Sequence, residues 1–528
     1  MIPSARRLVS TGAVLALLAL LGAAWFVRGR LIRPAPVSSG GLAGWNLLLV
    51  TIDTLRADRV GAYGSGRGLT PTLDALAARA VRFDRAYAHA PMTLPAHASI
   101  LTGLIPPAHG VRNNGSFRLD ASRQTLATCL RRAGYRTGAF VGAFVLDVRF
   151  GLNHGFDVYD DQYGTETGPV TFGFVERPAN EVLTRAAGWI LGEKGGRAST
   201  PFFAWVHLFD PHAPYQAPRM QVADPYDNEV AFTDAEIGSF LGELDAAGQL
   251  DRTLIIVVAD HGEALGDHGE ATHGLFAYDA TLRIPLIIAA TGIRPRVVRA
   301  PVSQVDILPT VLDLVGVPTP PAIQGRSVLG ALGGATADDR PIYFEALDAN
   351  LTRNWAPLTG VISDGWKYVD LPVPELYDLA RDPGETNNLA AHEAARLRTL
   401  QQQLEDLRAR VTDRAAAPAP IDADAAARLR ALGYTAAQAP AGSRKSRFSE
   451  ADDPKNLIDL HRDYERALTL AGQREPQAAI DLLRSVIQRR PDFTAAYMNA
   501  ASILIETGQA AAAVALLDEA TRNGLATP

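Results

Sequence analysis

Two runs of apolar residues end in acids. Leu47-Leu48-Leu49-Val50-Thr51-Ile52 leads into Asp53-Thr54, and Leu254-Ile255-Ile256-Val257-Val258-Ala259 leads into Asp260-His261-Gly262-Glu263. Ligands of open α/β sheets bind in the crevice beyond the carboxyl ends of the strands. Carboxylates and an imidazole gathered there make a cage suited to a divalent cation. A strand-terminal Asp on its own can equally cap the helix that follows it; the second strand and the adjacent His point to a metal. The third element is Met92-Thr93-Leu94-Pro95-Ala96-His97-Ala98-Ser99-Ile100-Leu101-Thr102-Gly103. Pro95 fits the first turn of a helix and Gly103 its carboxyl-end cap. Thr93 then sits at the helix amino terminus, where free N–H groups and the dipole favour an anion. Beside a metal such a hydroxyl can act as a nucleophile, and away from one it is a plain N-cap.

These residues need rigid elements behind them. The two apolar runs, and a third at Phe202-Phe203-Ala204-Trp205-Val206, are continuous rather than alternating. They read as strands buried on both faces, as in a parallel sheet flanked by helices. Helical stretches intervene at residues 72–81 and 125–133, the latter ended by Gly134. The alternation predicts an α/β sandwich. With 528 residues, 47% hydrophobic, 20% charged, 46 Gly and 34 Pro, the composition excludes collagen-like, coiled-coil and wholly disordered chains. At this length more than one folding unit is expected. A net charge of −6, from 51 basic and 57 acidic residues, argues against nucleic acid as a partner. Cys129 is the single cysteine, which rules out an intramolecular disulfide and a Cys-based zinc cluster.

Both ends differ from the middle. Leu8 to Val27 is a run of 20 uncharged residues between Arg6-Arg7 and Arg28, Arg30 and Arg33. Such a helix spans a bilayer of about 30 Å. Residues 8–27 are therefore expected to form a transmembrane signal anchor after a cytoplasmic tail at 1–7, with a linker at 28–45. A cleaved signal peptide is the rival, with small residues at Gly22-Ala23-Ala24. The flanking arginines do not set the orientation. Residues 391–455 read as a helix followed by Ala/Pro-rich linker. Beyond, Ala478, Ile480, Leu482 and Leu483 recur 34 residues later as Ala512, Val514, Leu516 and Leu517. This helical-hairpin period, over residues 456–528, resembles tetratricopeptide repeats, with an ordinary pair of helical hairpins as the plainer reading. Two units are fewer than a free-standing solenoid needs. They are expected to lean on the main domain or on a protein partner.

Residues 46–390 resemble the sulfatase branch of the alkaline phosphatase superfamily. The matching segments include Thr51-Ile52-Asp53-Thr54-Leu55-Arg56-Ala57-Asp58, Leu101-Thr102-Gly103, Asp260-His261-Gly262-Glu263 with Gly266-Asp267-His268-Gly269, and Leu282-Arg283-Ile284-Pro285-Leu286. Val305-Asp306-Ile307-Leu308-Pro309-Thr310, Gln324-Gly325-Arg326-Ser327 and Glu375-Leu376-Tyr377-Asp378-Leu379 look like the family's closing motifs. The resemblance implies an alkaline-phosphatase-like α/β/α sandwich, here with a C-terminal α-helical repeat region and an N-terminal transmembrane helix.

Three positions depart from that family. The slot that sulfatases fill with Cys or Ser, matured to formylglycine, holds Thr93, which is not a substrate for that maturation. His97 replaces the motif's Arg, and Thr54 replaces the second Asp of the Asp-Asp metal pair. Thr93-Leu94-Pro95-Ala96-His97 with Asn114 looks instead like the nucleophile region of phosphodiesterases in the superfamily. The resemblance then implies metal ligands Asp53, Thr93, Asp260 and His261, with Thr93 also the nucleophile and Asn114 holding a phosphoryl oxygen. It implies His212 and His273 as leaving-group acids, and His97 and His207 at the substrate. One cation per chain is expected, Zn or Mn before Ca or Mg because of the imidazole. Asp210, His212 and His273 are the alternative for a second ion.

The expected function is metal-dependent ester hydrolysis with a Thr nucleophile, on phosphate or phosphonate (di)esters. The alternatives are a sulfuric ester hydrolase working without formylglycine, a headgroup phosphotransferase, and an inactive scaffold binding protein through its repeats. The expected substrate is a small-molecule, glycan or lipid ester, selected by loops such as residues 157–176. The protein is expected to be membrane-anchored through residues 8–27, and by the family resemblance its catalytic domain is expected to be extracytoplasmic, periplasmic or extracellular.

Overall fold

The computed structural model describes residues 37–525 apart from 164–176, 193–199, 219, 337–338, 415–416, 423–424, 427 and 430–444. The expected anchor at residues 8–27 lies outside the described residues. Among the described residues no helix is long and apolar enough to cross a membrane. The main sheet comprises β1 (Asn46–Ile52), β2 (Val81–Phe83), β3 (Arg136–Val141), β4 (Val158–Asp160), β5 (Phe202–Leu208), β6 (Thr253–Ala259), β7 (Leu286–Ala289) and β8 (Arg296–Val298). Its order is β8-β2-β7-β6-β1-β5-β3-β4. Strands β6, β1, β5, β3 and β4 run parallel, and every residue of β5 and β6 is buried. Strands β1, β5 and β6 are the three read from continuous apolar runs. Strand β7 is antiparallel to both neighbours. A parallel pair needs a crossover to the opposite end of the sheet, whereas residues 260–285 lead from the carboxyl end of β6 directly into the reversed strand.

Helices α1 (Pro71–Ala77), α2 (Thr93–Thr102), α3 (Leu126–Arg132), α4 (Ala179–Leu191), α5 (Pro225–Ala246) and α6 (Ile307–Val315) form the outer layers. Helices α1, α4 and α5 pack together, and α2, α3 and α6 pack together as a separate group. The helix expected over 72–81 stops at Ala77, because Val81 and Phe83 turn inward from β2. Thr125 caps α3 through a reciprocal bond pair with Thr128. A second, antiparallel sheet runs through β9 (Ile342–Ala346), β10 (Leu358–Ser363), β11 (Trp366–Asp370) and β12 (Glu375–Asp378). It is covered by α7 (Ala394–Arg410) through buried Leu400 and Leu404. Two helical hairpins follow, α8 (Ile458–Gly472) with α9 (Pro476–Arg489) and α10 (Thr494–Glu506) with α11 (Ala510–Arg522). Their buried Tyr464, Phe493 and Tyr497 belong to the same apolar core as the central sheet. The repeats lean on the catalytic body.

Candidate active site

Strand β1 lies between β5 and β6, in a register that pairs Ile52 with Leu208 and with Ala259. The next residues are Asp53 and Asp260, so two carboxylates emerge level at the carboxyl edge of the sheet. His261 follows Asp260. All three are 0% exposed, and their ligand atoms lie within 4.8 Å of one another. His261 Nδ1 donates to the Gly262 carbonyl at 2.9 Å, which turns the Nε2 lone pair toward Asp53 Oδ1 (3.6 Å) and Asp260 Oδ2 (3.5 Å). Asp260 Oδ1 accepts from the backbone N–H of His261 (2.7 Å) and of Thr54 (3.2 Å). Asp53 Oδ1 and Asp260 Oδ2 are buried without a hydrogen-bond partner. Burial pushes both carboxyls above their ordinary range, and repulsion from Asp53 adds to the rise at Asp260. Two orphaned carboxylate oxygens facing an oriented imidazole fit a divalent cation, whose charge would relieve that repulsion.

Thr93 is the first residue of α2. Its predecessor Met92 is the N-cap and makes no side-chain capping bond, so the threonine hydroxyl is not used as a cap. Oγ1 instead lies 3.5 Å from Asp53 Oδ2 and 3.4 Å from His261 Nε2. All ten residues of α2 are buried and Gly103 ends it at φ 69°, which fixes the hydroxyl rigidly. The free N–H of Leu94 donates to Asn114 Oδ1 at 2.8 Å. That contact leaves the Asn114 Nδ2 donors buried and unpartnered beside the nucleophile position.

The remaining histidines sort by what holds each ring. Thr51 Oγ1 accepts from the Trp205 indole N–H at 3.0 Å and therefore donates to His207 Nδ1 at 3.2 Å. The Nε2–H of His207 then faces Asp53 Oδ2 at 3.5 Å. His97 Nδ1 donates to the Thr93 carbonyl at 2.7 Å, 3.7 Å from Asp260 Oδ2. Both rings are 0% exposed and meet edge-on at 4.7 Å. His97 and His207, expected at the substrate, thus lie beside the carboxylates, 3.7 Å from Asp260 Oδ2 and 3.5 Å from Asp53 Oδ2 respectively. Burial lowers His97 to about 3 and His207 to about 4, so both are neutral near pH 7. His212 and His273 lie together on the other side, ring centroids 5.2 Å apart, with His273 4.5 Å from the His261 ring.

Asp210 does not join the two. Its Oδ2 accepts from the Ala179 N–H at 2.7 Å at the start of α4, so the alternative second-ion set loses its carboxylate to a helix end. Thr54, in the slot of a second metal Asp, has a φ of 51° and turns its hydroxyl to the Pro211 carbonyl. Sequence reasoning gave no role to Glu263, which is 0% exposed with Oε1 3.0 Å from His273 Nδ1. Burial pushes its carboxyl up to about 7. Its place two residues after His261 was the available signal.

An α/β/α sandwich with Asp, Asp-His and a helix-terminal hydroxyl gathered at one sheet edge is the architecture of alkaline-phosphatase-like hydrolases. Within that class the chain belongs to the sulfatase family, whose pattern, described as Sulfatase, matches residues 45–317. A second pattern, N-sulphoglucosamine sulphohydrolase, C-terminal, matches 266–410, and a tetratricopeptide repeat matches 470–525. The choline-sulfatase of Rhizobium meliloti is 26% identical over 65% of this chain and 82% of that protein. The delta 4,5-hexuronate-2-O-sulfatase of Bacteroides thetaiotaomicron is 26% identical over 65% of this chain and 84% of that protein. The phosphonate monoester hydrolase of Agrobacterium radiobacter superposes with a TM-score of 0.58 at 23% identity, covering 69% of this chain and 95% of that one, a likeness of fold. The protein is a sulfatase-family hydrolase, and that family is metal-dependent.

Proposed function

We propose that the protein is a metal-dependent ester hydrolase in which Thr93 is the nucleophile, acting on phosphate or phosphonate (di)esters. The observation that carries this reading is the Thr93 hydroxyl, 3.4 Å from His261 Nε2 and 3.5 Å from Asp53 Oδ2, with two orphaned carboxylate oxygens around it. Asp53, Asp260, His261 and Thr93 would hold the cation, and the imidazole favours Zn or Mn over Ca or Mg. When bound, the ion supplies positive charge that lowers the pKa of a hydroxyl and polarises the ester. Thr93 Oγ1 passes its proton to Asp53 Oδ2, 3.5 Å away, and attacks the central atom in line, while the bond to the leaving oxygen breaks and that oxygen takes a proton from the His212/His273 side. Asn114 Nδ2, buried without a partner, holds a non-bridging oxygen as charge develops. Water then cleaves the Thr93 ester and restores the hydroxyl.

Sulfate ester hydrolysis without formylglycine is the second reading, favoured by the sulfatase relatives. One experiment separates the two. Metal content and turnover are measured on the same preparation with 4-nitrophenyl sulfate, bis(4-nitrophenyl) phosphate and 4-nitrophenyl phenylphosphonate. Preference for the phosphorus esters supports the proposal, and turnover of the sulfate alone overturns it. For the location we propose a membrane-anchored protein with the catalytic body outside the cytoplasm, resting on the apolar run at 8–27. Protease added to intact cells should then cleave it.

A further inference from the structure

Glu263 gathers three segments onto one carboxylate. It stands in the turn after β6, two residues past His261, and is 0% exposed. Arg56 Nη1 donates to the carbonyls of Glu263 (3.0 Å) and Ala264 (3.1 Å), and Arg56 is itself held by Asp58 (2.8 Å) and Asp267 (2.9 Å). The backbone beneath the carboxylate is thereby pinned. Oε2 accepts from the hydroxyl of Tyr215, in the loop after β5, at 3.4 Å. Oε1 accepts from Nδ1 of His273, in the segment 264–274, at 3.0 Å. That segment is braced a second time by α8, where Arg462 Nε donates to the Gly269 carbonyl at 3.1 Å.

The bond to Glu263 settles how the His273 ring is presented. A carboxylate offers acceptors alone, so the Nδ1 proton is committed to Oε1 and the ring can flip only by breaking that bond. Nε2 is then the atom that exchanges a proton with a bound ester. The ring also contacts both His261 and His212, at centroid distances of 4.5 Å and 5.2 Å, which sets it against a metal ligand. His212 is held differently. Its Nδ1 meets the carbonyl of the adjacent Ala213 at 2.6 Å, and its ring stacks on Phe209 at 4.4 Å. A backbone carbonyl is a neutral acceptor, whereas a carboxylate makes the stronger, charge-assisted bond to a ring that carries both protons.

Building on the hydrolase reading, we infer that Glu263 is the positioning residue that makes His273, and not His212, the acid for the leaving group. The ring gives its Nε2 proton to the leaving oxygen as the bond from that oxygen to the central atom breaks, and its Nδ1 proton stays on the Glu263 bond. In the second half the attacking water returns a proton to Nε2, and Asp53 returns its proton to the Thr93 oxygen. Every group then stands as it began.

The test uses the full-length, metal-loaded protein with phenyl and 4-nitrophenyl methylphosphonate, and with phenyl and 4-nitrophenyl sulfate. Phenol is the poorer leaving group and depends more on the acid. In the ester class that the wild type turns over, His273→Ala and Glu263→Ala should each lower kcat on the phenyl ester by about 100-fold or more. On the 4-nitrophenyl ester the loss should stay below about tenfold, with rates expressed per bound metal. The double variant should be within about twofold of His273→Ala, because the two residues act as a unit. Glu263→Gln keeps the size of the side chain and an oxygen for the Nδ1 proton. It should fall between wild type and Glu263→Ala on the phenyl ester, and it carries the test if Glu263→Ala does not fold. A loss shared equally by both esters, as a purely structural role would give, overturns the inference. So do losses that multiply in the double variant, or a leaving-group effect in His212→Ala that His273→Ala lacks. Turnover of neither ester class by the wild type overturns the hydrolase reading and this inference with it.

Discussion

Asp53 and Asp260 leave adjacent parallel strands at one level because Ile52 pairs with Ala259 across the β1–β6 ladder. Replacing either by Asn should weaken metal binding and lower kcat by more than about 100-fold. The metal-free protein should respond in the opposite sense. Without the cation the two buried carboxylates repel, so chelator-treated Asp260→Asn should melt above chelator-treated wild type. Scanning calorimetry with and without chelator checks both halves.

Thr93→Ala should abolish turnover while metal content, read by elemental analysis, falls little, because three other ligand atoms remain. Thr93→Ser, which keeps a hydroxyl at the start of α2, should retain measurable activity. Metal-replete Thr93→Ala with wild-type turnover would sink the nucleophile assignment.

Asn114 satisfies the Leu94 N–H with its oxygen and leaves its amide donors toward the site. Asn114→Ala removes both functions. We expect kcat to fall on the order of 10²-fold, as for loss of one oxyanion donor. Asn114→Asp, which keeps the acceptor and loses the donors, should be impaired as severely.

Glu229 holds the strand-to-helix loop by accepting from the His212 N–H (3.1 Å) and the Ala217 N–H (2.9 Å). Burial pushes its carboxyl from the ordinary 4.5 up to about 7. The folded state therefore binds the proton more tightly than the unfolded chain. Stability from this group is undisturbed below the unfolded pKa, falls as pH rises through the window to about 7, and levels off above it. The loss is on the order of 3 kcal/mol. Glu229→Gln should flatten that part of the curve, which urea unfolding at a series of pH values measures.

A Cβ at Gly262 would stand 2.1 Å from the Ala280 carbonyl oxygen. Gly262→Ala must move the backbone beside His261, so metal affinity should drop before the fold is lost. A variant with wild-type metal affinity would show that the contact is relieved from the Ala280 side.

Much of the site was readable because its parts lie at element ends. Asp53 and Asp260-His261 follow runs of Leu, Ile and Val too apolar to be anything but buried strands, and Thr93 lies just before the Pro95 that marks a first turn. What each histidine does was not readable. The behaviour of His207 depends on a Trp205–Thr51 bond between neighbouring strands, and that of His97 on the carbonyl one turn back. The sequence offered Asp210 only as an alternative ligand for a second ion, and the Ala179 N–H that its Oδ2 accepts from lies 31 residues away. The reversed strand β7 escaped notice because four buried apolar residues carry no mark of direction. The 34-residue period disclosed the hairpins, but the contacts that dock them, such as Arg353 with His461 and Trp355 with Phe493, join residues far apart in the sequence.

That docking carries a consequence for how the molecule is made. Helix α8 is translated long after the sheet and the metal ligands, yet its Arg462 holds the Gly269 carbonyl in the segment that carries His273. A ribosome-bound chain lacking these final turns would carry every reacting group with the Gly269 contact unmade. The segment that carries His273 would then be braced last, at the moment the hairpins settle.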